Sequence, residues 1–295
     1  MRSIVIGGTG TLGSVLIDKL LKAGHEVSCF SRDELKQQEM KKTYPEVKFI
    51  IGDIRDKYSL PDLTGYTNTF HVAALKHVDV LENSVREGIL TNVIETMNVV
   101  DKAIECKVKN VAFCTTDKAV LPINCYGYTK GLAEKYIHSK RLAAPNTNFT
   151  IFRWGNVIGS RGSVIPDFIK AIKANEPIKL TNPQMTRFWI KIDDAANFMM
   201  ENVGNRSRAV LLPPMKACPV LLVIQVLAEH FGTEKREFDQ IGIRPGEKIH
   251  ECIYTAHPPA TCINSDSAHN YLSGESNQYT KDEVRGLLEE WLIGF

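Results

Sequence analysis

The sequence predicts an α/β protein built on a Rossmann-type doubly wound parallel sheet, with a smaller carboxyl-terminal substrate lobe. Short apolar runs alternate with helix-like stretches through the first half of the 295 residues. A glycine-rich turn follows the first run directly, and after about residue 174 the alternation loosens into proline-containing connections. We therefore expect residues 1–156 to form the Rossmann domain, with part of 183–215 returning to it. Residues 157–295 should form mainly the substrate lobe.

The first predicted strand, Ile4-Val5-Ile6, leads into the turn at residues 7–13, which precedes a helix ending near Lys22. Glycines at 7, 10 and 13 permit a tight turn, close approach of a pyrophosphate to the backbone, and close packing of the helix on the strand. This placement favours dinucleotide binding over a glycine-rich turn without a ligand.

The second predicted strand runs from Glu26 to Phe30 and ends in Ser31-Arg32. At this point an acidic residue usually holds the ribose hydroxyls of NAD, whereas an arginine accepts the 2′-phosphate of NADP. Asp33 is present, but Ser31 and Arg32 precede it and offer a hydroxyl and a guanidinium to a phosphate. NADP is therefore favoured, and the alternative for Arg32 is a solvated residue at a helix start.

Two further strands are expected at residues 47–51 and 69–74. Asp53 follows the first and is positioned to reach an adenine. Ala73 and Ala74 would let the backbone lie against a cofactor, and Lys76 and His77 come next, toward the cleft. A helix from about Glu87 to Cys106 carries Asn92, whose amide should order backbone or water near the site; the alternative is an ordinary polar helix residue.

The most informative stretch follows the apolar run Val111 to Cys114, which predicts a buried parallel strand. Asp117 and Lys118 lie at its carboxyl end, where doubly wound sheets bind ligands. Tyr126 and Lys130 are spaced i and i+4, so a helix places them on one face. A neighbouring cation favours the phenolate, which makes Tyr126 a candidate base near neutral pH. The alternative is an exposed Tyr/Lys helix face.

A sixth strand is expected at 149–154, followed by a small, polar, basic loop at 155–163 whose composition suits a pyrophosphate or a sugar. A helix should then run from Ser163 to Ala174. Arg187 and Arg244 are candidate phosphate ligands of the carboxyl-terminal lobe. A solvated surface arginine is the alternative for each.

Composition excludes several classes of protein. With 43% hydrophobic residues, 24% charged residues and a net charge of +2, the chain has no strong basic field, so no nucleic acid partner is expected. No segment approaches the roughly 18 apolar residues needed to span a bilayer. The amino terminus leaves no room for a signal peptide, so a cytoplasmic location is expected. Seven cysteines without a Cys-x-x-Cys pair indicate neither a disulfide framework nor a metal site.

Together these motifs resemble the extended short-chain dehydrogenase/reductases. More narrowly, they resemble the soluble inverting UDP-N-acetylglucosamine 4,6-dehydratases (5-epimerases), nearly end to end. The resemblance is carried by Gly-Gly-Thr-Gly-Thr-Leu-Gly at 7–13, Ser-Arg-Asp-Glu-Leu-Lys at 31–36, Ala-Ala-Leu-Lys-His-Val at 73–78, Thr-Asp-Lys-Ala-Val at 116–120 with Tyr126 and Lys130, Gly-Asn-Val-Ile-Gly-Ser-Arg-Gly-Ser at 155–163, Met-Thr-Arg-Phe-Trp-Ile at 185–190, and Arg-Pro-Gly-Glu-Lys at 244–248.

Neighbouring families differ at readable positions. Nucleotide-glucose 4,6-dehydratases usually carry Thr-Asp-Glu where this chain has Thr116-Asp117-Lys118, and sugar 4-epimerases lack the Asp-Lys pair. Large membrane-bound retaining dehydratases usually carry Met at the position of Tyr126. The one departure from the family is Trp154, where Tyr is expected next to the nicotinamide.

The resemblance implies a homo-oligomeric enzyme that uses NADP on UDP-N-acetylglucosamine, pairing through helices near 87–106 and 126–143. The implied catalytic residues are Thr116, Asp117, Lys118, Tyr126 and Lys130. The implied cofactor contacts are Gly7, Thr9, Gly10, Thr11, Leu12, Gly13, Ser31, Arg32, Lys36, Asp53, Ile54, Ala73, Ala74, Lys76, Tyr126 and Lys130. The implied substrate contacts are Lys76, His77, Asn156, Ser163, Val164, Arg187, Arg244 and Glu247.

Four alternatives stay open at this stage. The same fold serves UDP-sugar 4-epimerases, other nucleotide-sugar 4,6-dehydratases and NADP-linked reductases, and it also serves non-catalytic NADP-binding sensors. The Asp117/Lys118 pair argues against an epimerase, and the Tyr126/Lys130 pair argues against a sensor. The preference for a 2-acetamido over a 2-hydroxyl sugar is left undecided.

Overall fold

The computed structural model describes residues 1–141, 143–205, 210–232, 238–254, 260–262, 272–275 and 277–293. Its strands are β1 (Arg2–Ile6), β2 (Glu26–Ser31), β3 (Lys48–Ile51), β4 (Asn68–His71), β5 (Asn110–Thr116), β6 (Asn148–Trp154), β7 (Asn156–Ile158), β8 (Ile178–Leu180), β9 (Thr186–Lys191), β10 (Val210–Leu212), β11 (Lys216–Pro219), β12 (Phe238–Gln240) and β13 (Ala260–Cys262). Its α-helices are α1 (Thr11–Lys22), α2 (Glu34–Thr43), α3 (Val78–Asn83), α4 (Val85–Gly88), α5 (Glu95–Glu105), α6 (Cys125–Arg141), α7 (Val164–Ala174), α8 (Ile192–Asn202), α9 (Val220–His230) and α10 (Lys281–Leu292).

The main sheet has eight parallel strands in the order β13-β10-β6-β5-β4-β1-β2-β3. The strand order reverses between β1 and β4, because β2 and β3 lie on one side of β1 and the later strands lie on the other. This is the doubly wound arrangement, and its ligand crevice lies at the carboxyl ends of the strands beside the reversal. The predicted fold class is confirmed.

The two faces of the sheet are covered by different helices. Ile4 and Ile6 of β1 pack into a core shared with α5 and α6, whereas Val5 between them packs with α1 and α8. Successive side chains of a strand point to opposite faces, so a continuously apolar strand is buried on both sides. This explains why the first strand is apolar without alternation.

The carboxyl-terminal part contains a second, smaller core. Helices α7, α9 and α10 pack around the three-stranded sheet β11-β9-β7, with Trp189, Ile165 and Leu288 almost fully buried among them. Strands β8 and β12, which also belong to the carboxyl-terminal part, form a separate two-stranded sheet. This second core lies in the part of the chain where the alternation of strands and helices loosens.

Three elements differ from the sequence prediction. The helix expected from Glu87 to Cys106 contains a π-helical turn over Ile89–Ile94 between α4 and α5. The strand expected at 69–74 ends at His71. The chain then leaves the sheet and passes against the glycine turn, where Ala73 lies next to Gly7. The loop expected at 155–163 contains β7, which pairs with β9.

The domain boundaries remain a prediction, but the sheet adds detail to them. β10, which lies within 183–215, pairs with β6 of the main sheet, and β13 extends that sheet by one more strand. The main sheet therefore takes strands from well beyond residue 156. No helix within the described ranges is long and apolar enough to cross a membrane.

Candidate active site

A cavity of about 300 Å³ opens at the carboxyl ends of the strands, beside the reversal in strand order. It brings together most of the residues that the sequence suggested for a dinucleotide. These are Gly7, Thr9, Gly10, Ser31, Arg32, Lys36, Asp53, Ile54, Ala73 and Ala74. Thr11, Leu12 and Gly13 follow in the first turn of α1, and Arg55 and Arg161 also line the cavity.

The glycine turn has the shape that a pyrophosphate requires. Gly7 has a φ of +85°, and a Cβ at this position would lie 2.6 Å from the Ala73 nitrogen. A Cβ on Gly13 would lie 2.4 Å from the Gly7 carbonyl oxygen. Helix α1 begins after Gly10 without any side-chain cap, so its first N–H groups are available to an anion. The residues present therefore fit a dinucleotide.

At the carboxyl end of β2, the Asp33 carboxylate is already engaged within the protein. Asp33 caps α2, since its Oδ1 accepts a hydrogen bond from the Lys36 backbone N at 3.0 Å, and it also pairs with the Lys36 ammonium. These hydrogen bonds from Lys36 lower the pKa of Asp33. Ser31 Oγ accepts from Gln37 at 2.9 Å, which leaves its hydroxyl hydrogen to donate. Arg32 is exposed and makes no ion pair in the described parts of the chain.

Asp53 at the end of β3 is held by a residue that the sequence analysis did not single out. Arg55 donates to both Asp53 carboxylate oxygens from Nε, at 3.0 Å each, and to Glu87 at 2.9 Å. The hydrogen bonds from Arg55 lower the pKa of Asp53. Asp53 is thus a carboxylate whose direction is set before any ligand arrives.

Arg161 is a second residue that the sequence analysis did not assign. Its Nη2 donates to the Thr9 carbonyl oxygen at 2.6 Å, and its backbone N donates to Thr11 Oγ1 at 3.1 Å. Beside it, Lys76 Nζ donates to Ser160 Oγ at 3.2 Å, and burial lowers the pKa of Lys76. The loop that follows β7 therefore lies directly over the glycine turn. The available signal was the basic composition of that loop.

The structure assembles the predicted acid/base residues in a short 3₁₀ turn after β5. Lys118 Nζ lies 3.1 Å from Asp117 Oδ1 and 3.4 Å from Asn156 Oδ1, and Thr116 Oγ1 donates to Asp117 Oδ1 at 3.0 Å. Asp117 is fully buried, and its Oδ2 has no hydrogen-bond partner among the described residues. One buried oxygen of this carboxyl group is therefore left without a hydrogen bond in the described structure.

Glu251 is a third residue that the sequence analysis missed. Its Oε1 lies 3.6 Å from Lys118 Nζ, and it is 2% exposed. Burial raises the pKa of Asp117, and Glu251 adds to that effect. Burial lowers the pKa of Lys118, but Asp117 and Glu251 together outweigh it, so the pKa is raised. Lys118 is thus an ammonium group between two carboxyl groups.

Tyr126 and Lys130 lie on α6 as expected, with Lys130 buried. The pKa of Tyr126 is raised, because burial disfavours the phenolate and Cys114 and Asp117 add to this, while the Thr116 hydroxyl opposes it. The expectation that Tyr126 is poised near neutral pH by Lys130 is therefore wrong for the protein by itself. Lys130 instead acts electrostatically on Cys114, whose pKa burial raises to about 11.

With this geometry established, the chain can be compared with known proteins. The model of the polysaccharide biosynthesis protein family matches residues 3–270. This chain belongs to that family. It is similar to a UDP-glucose 4-epimerase of Rickettsia rickettsii, at 34% identity over 98% of this chain and 89% of the relative. These relationships place the chain among the nucleotide-sugar epimerases and dehydratases.

Two solved structures show the same fold. Pen from Bacillus thuringiensis is 32% identical, with a TM-score of 0.89 over 99% of this chain and 98% of that one. The dTDP-glucose 4,6-dehydratase DesIV from Streptomyces venezuelae, solved with NAD bound, is 18% identical, with a TM-score of 0.79 over 99% of this chain and 97% of that one. At that identity the second likeness concerns the fold alone.

The loop at 244–248 lies against the start of α6. Asn124 Nδ2 donates to the Gly246 carbonyl oxygen at 2.7 Å, and Asn124 Oδ1 accepts from Gly127 N at 2.7 Å. Lys248 Nζ donates to the Val120 carbonyl oxygen at 2.7 Å. The loop is therefore tied to the chain between Lys118 and Tyr126. Arg244 is exposed, and Glu247 Oε2 accepts from its backbone N at 3.3 Å.

The other candidate substrate residues have different surroundings. Arg187 is buried, and its guanidinium donates to the carbonyl oxygens of Thr186, Lys248 and Ile249 at 2.7 to 3.1 Å. These hydrogen bonds already engage donors of the guanidinium. Its role as a phosphate ligand remains a prediction. His77 lies against Gly162. Ser163 precedes α7, and its buried Oγ has no hydrogen bond in the described structure. Val164 is 36% exposed.

Asn92 and Trp154 are the remaining residues that the sequence indicated near the site. Asn92 is fully buried in the π-helical turn, where its side chain accepts from Leu75 N and donates to Leu75 O, both at 2.9 Å, and donates to Thr129 at 3.0 Å. It orders the backbone beside the cleft, which is one of the two predicted roles. Trp154 is buried in the core on the α1 and α8 side of the sheet.

Proposed function

We propose that this chain is an NADP-dependent UDP-N-acetylglucosamine 4,6-dehydratase that inverts carbon 5. The product is UDP-2-acetamido-2,6-dideoxy-β-L-arabino-hexos-4-ulose, an intermediate for uncommon acetamido sugars of surface glycans. The observation that carries the proposal is the buried Asp117–Lys118 pair, with one carboxyl oxygen unpartnered. Loss of water across carbons 5 and 6 requires a base and an acid, and epimerisation at carbon 4 does not require this second pair.

The Asp117–Lys118 pair supplies both groups through one internal proton shift. Burial raises the pKa of Asp117, and Lys118 Nζ is 3.1 Å away. Passing the proton from Lys118 to Asp117 leaves a neutral amine and a neutral acid without changing the net charge of the buried pair. Lys118 then removes the carbon 5 proton, and Asp117 protonates the departing 6-hydroxyl. Once carbon 6 is reduced, the resulting enolate takes a solvent proton at carbon 5 on the opposite face, which completes the inversion and leaves the Asp117–Lys118 pair in its starting form.

Tyr126 acts at the 4-hydroxyl. Its pKa is raised in the protein by itself, and the positive charges of Lys130 and an oxidised nicotinamide ring would favour the phenolate in the complex. The phenolate accepts the hydroxyl proton as carbon 4 is oxidised. A dinucleotide held at the glycine turn would supply a hydride acceptor for carbon 4 and a hydride donor for carbon 6, so no net oxidation is expected.

NADP is proposed over NAD because of the side chains at the end of β2. The Asp33 carboxylate is engaged with Lys36, while Ser31 retains a hydroxyl hydrogen and Arg32 is exposed at the cavity. DesIV, which shares the fold, was solved with NAD. A direct comparison of the two cofactors is therefore part of any test of this proposal.

The second candidate is a UDP-sugar 4-epimerase. The observation that favours it is the name of the curated relatives, which are UDP-glucose 4-epimerases at 34% to 36% identity. Epimerisation needs Tyr126, Lys130 and the dinucleotide, but it leaves the Asp117–Lys118 pair without a chemical task. An NADP-binding sensor is the non-enzymatic alternative.

One experiment separates these functions. The protein is incubated with NADP and either UDP-N-acetylglucosamine or UDP-glucose in deuterated water, and carbons 4, 5 and 6 are followed by NMR. The proposal predicts a 6-methyl group, a 4-keto carbon and deuterium at carbon 5, with the acetamido sugar preferred. A new 4-hydroxyl epimer with an intact 6-hydroxyl would support the epimerase, and no turnover would support the sensor.

We also propose that the protein is a cytoplasmic homo-oligomer, at least a dimer. Val85 and Ile89 next to α6, and Tyr128 and Leu132 on it, are 43% to 59% exposed. The two segments are neighbours, since Asn92 donates to Thr129, and each carries a pair of exposed apolar side chains, which supports pairing through them. Light scattering at micromolar concentration is expected to give at least twice the monomer mass. A monomer would contradict this part of the proposal.

A further inference from the structure

Glu251 is a buried carboxylate at a meeting point of three cations. Its Oε1 lies 3.6 Å from Lys118 Nζ and 4.0 Å from Arg187 Nε, and its Oε2 lies 3.6 Å from Lys248 Nζ. Its backbone N donates to Ser273 Oγ at 2.8 Å, which holds the residue in place. A carboxylate this deeply buried is retained only with compensating charge, so the cluster is an electrostatic unit.

The three cations have unequal roles. Arg187 donates to three backbone carbonyl oxygens, and Lys248 donates to the Val120 carbonyl oxygen at 2.7 Å. Both are therefore anchored to the main chain. Lys118 has side-chain partners only, at Asp117 and Asn156. Among the described residues, Lys118 is the one of the three that pairs with a second carboxyl group besides Glu251. That group is Asp117, with which Lys118 can exchange a proton.

We infer that Glu251 is a positioning residue that sets the proton content of the Asp117–Lys118 pair, with Arg187 and Lys248 balancing the charge of its carboxylate. This inference rests on the proposed function. Glu251 retains its negative charge while Asp117 carries the exchangeable proton, so the two carboxyl groups near Lys118 have different tasks. Consistent with this division, Lys118, Arg187 and Lys248 overcome the effect of burial and lower the pKa of Glu251, whereas the pKa of Asp117 is raised.

The consequence for the reaction follows from charge. When Lys118 takes the carbon 5 proton it becomes an ammonium, and the negative charge 3.6 Å away stabilises that form. The same charge disfavours the Asp117 carboxylate and keeps a proton available for the departing hydroxyl. Glu251 therefore assists both the base and the acid without contacting the sugar.

The other ionisable groups around the cluster do not substitute for Glu251. Tyr126 is near Asp117 but has a raised pKa. His250 hydrogen-bonds through Nδ1 to Thr186 Oγ1 at 2.8 Å, and the Cys252 thiol donates to the Tyr254 carbonyl oxygen at 3.0 Å. Within the described ranges, Glu251 is thus the carboxylate that partners Lys118 in addition to Asp117.

The test is the pH dependence of kcat in Glu251→Gln. The active form of the pair holds one proton, so activity falls at low pH when a second proton binds and at high pH when the last proton leaves. Removing a negative charge lowers the pKa of both steps. Both limbs of the profile are therefore expected to move to lower pH, by about one unit, with little change in KM. A purely structural role would reduce kcat at every pH and leave both limbs in place.

Two variants control for charge and folding. Glu251→Asp keeps the negative charge and is expected to leave both limbs near their wild-type positions. Lys248→Met removes a positive charge from the same carboxylate, so both limbs should move slightly to higher pH. Circular dichroism and thermal unfolding establish that each variant is folded before its profile is measured.

A substrate-independent measurement separates this inference from the proposed function. The rate at which acetic anhydride acetylates Lys118, followed by mass spectrometry across pH, reports the Lys118 pKa directly. The inference predicts a lower pKa in Glu251→Gln than in wild type, and equal values would overturn it. Wild-type protein that forms no 4-keto-6-deoxy product contradicts the proposed function, and the acetylation result still decides the role of Glu251.

Discussion

The dinucleotide cavity and the acid/base cluster lie at the same edge of the sheet but are built differently. Every residue that lines the cavity lies between Ile6 and Arg161, and its two carboxylates are each paired with a cation at most three positions away in the chain. The acid/base cluster combines Asp117 and Lys118 with Asn156 from β7 and Glu251 from the carboxyl-terminal part of the chain, and its two carboxyl groups are buried.

Binding of the dinucleotide and the acid/base chemistry therefore depend on separate sets of contacts in this protein. The ion pairs of the cavity are partly exposed and local, so each contributes little alone and the cavity tolerates the loss of one contact. The cluster is buried and its charges are mutually dependent, so the loss of one member changes the others. Substitutions in the two regions are expected to differ in size and in kind.

The largest effect is expected from Lys118→Ala. Loss of a general base typically lowers the rate by about a hundred- to ten-thousand-fold. The variant should form little 6-deoxy product and incorporate almost no deuterium at carbon 5, while NADP affinity, measured by fluorescence titration, stays near wild type. Hydride transfer at carbon 4 should persist, because Tyr126 and Lys130 are intact.

Two variants accompany that measurement. Tyr126→Phe should act one step earlier and abolish the 4-keto species. Lys179→Ala, at an exposed lysine on β8 away from the cluster, should dehydrate normally. If Lys118→Ala dehydrates at nearly the wild-type rate, the base lies elsewhere, and Asp117 is the first candidate.

A smaller and selective effect is expected from Arg32→Ala. If Arg32 and Ser31 hold the 2′-phosphate, NADP binding should weaken by roughly 1.5 to 3 kcal/mol, the scale of a hydrogen bond to a charged group. NAD binding should change little, because NAD lacks that phosphate. Calorimetric titration with both cofactors checks this, with Lys41→Ala at the far end of α2 as the control. Equal losses for NADP and NAD would refute the assignment.

The smallest effect is expected from Arg161→Ala. This variant removes the hydrogen bond to Thr9 that holds the loop after β7 over the glycine turn, a contribution of about 1 kcal/mol. Affinity should fall roughly fivefold for NADP and NAD alike, because the contact is to the protein near the pyrophosphate and not to the 2′-phosphate. A loss confined to NADP, in the same titrations, would place Arg161 with Arg32 instead.

The sequence predicted the cavity well because its signals are local. The spacing of Gly7, Gly10 and Gly13 between a strand and a helix specifies both the turn and its ligand class. Asp117, Lys118, Tyr126 and Lys130 were likewise found within one short stretch. The fold class followed from the alternation of strands and helices.

Other features could not be read in this way because they depend on contacts between distant segments. Glu251 meets Lys118 across more than a hundred residues, and no local pattern marks that approach. The pKa of Tyr126 was predicted in the wrong direction, because i,i+4 spacing shows the nearby cation but not the burial that opposes it. The expectation that Arg187 binds a phosphate stays a prediction, and no local pattern showed that its guanidinium donates to the carbonyl oxygens of residues 248 and 249.

The late position of Glu251 in the chain has a consequence for biosynthesis. The ribosome releases the segments that line the cavity long before it releases residue 251, but domains generally fold as units. Helix α8 packs on α1, and strands β10 and β13 extend the main sheet, so the domain that carries the cavity is completed only when these late segments have emerged. The cavity and the acid/base cluster are therefore expected to form together, late in synthesis.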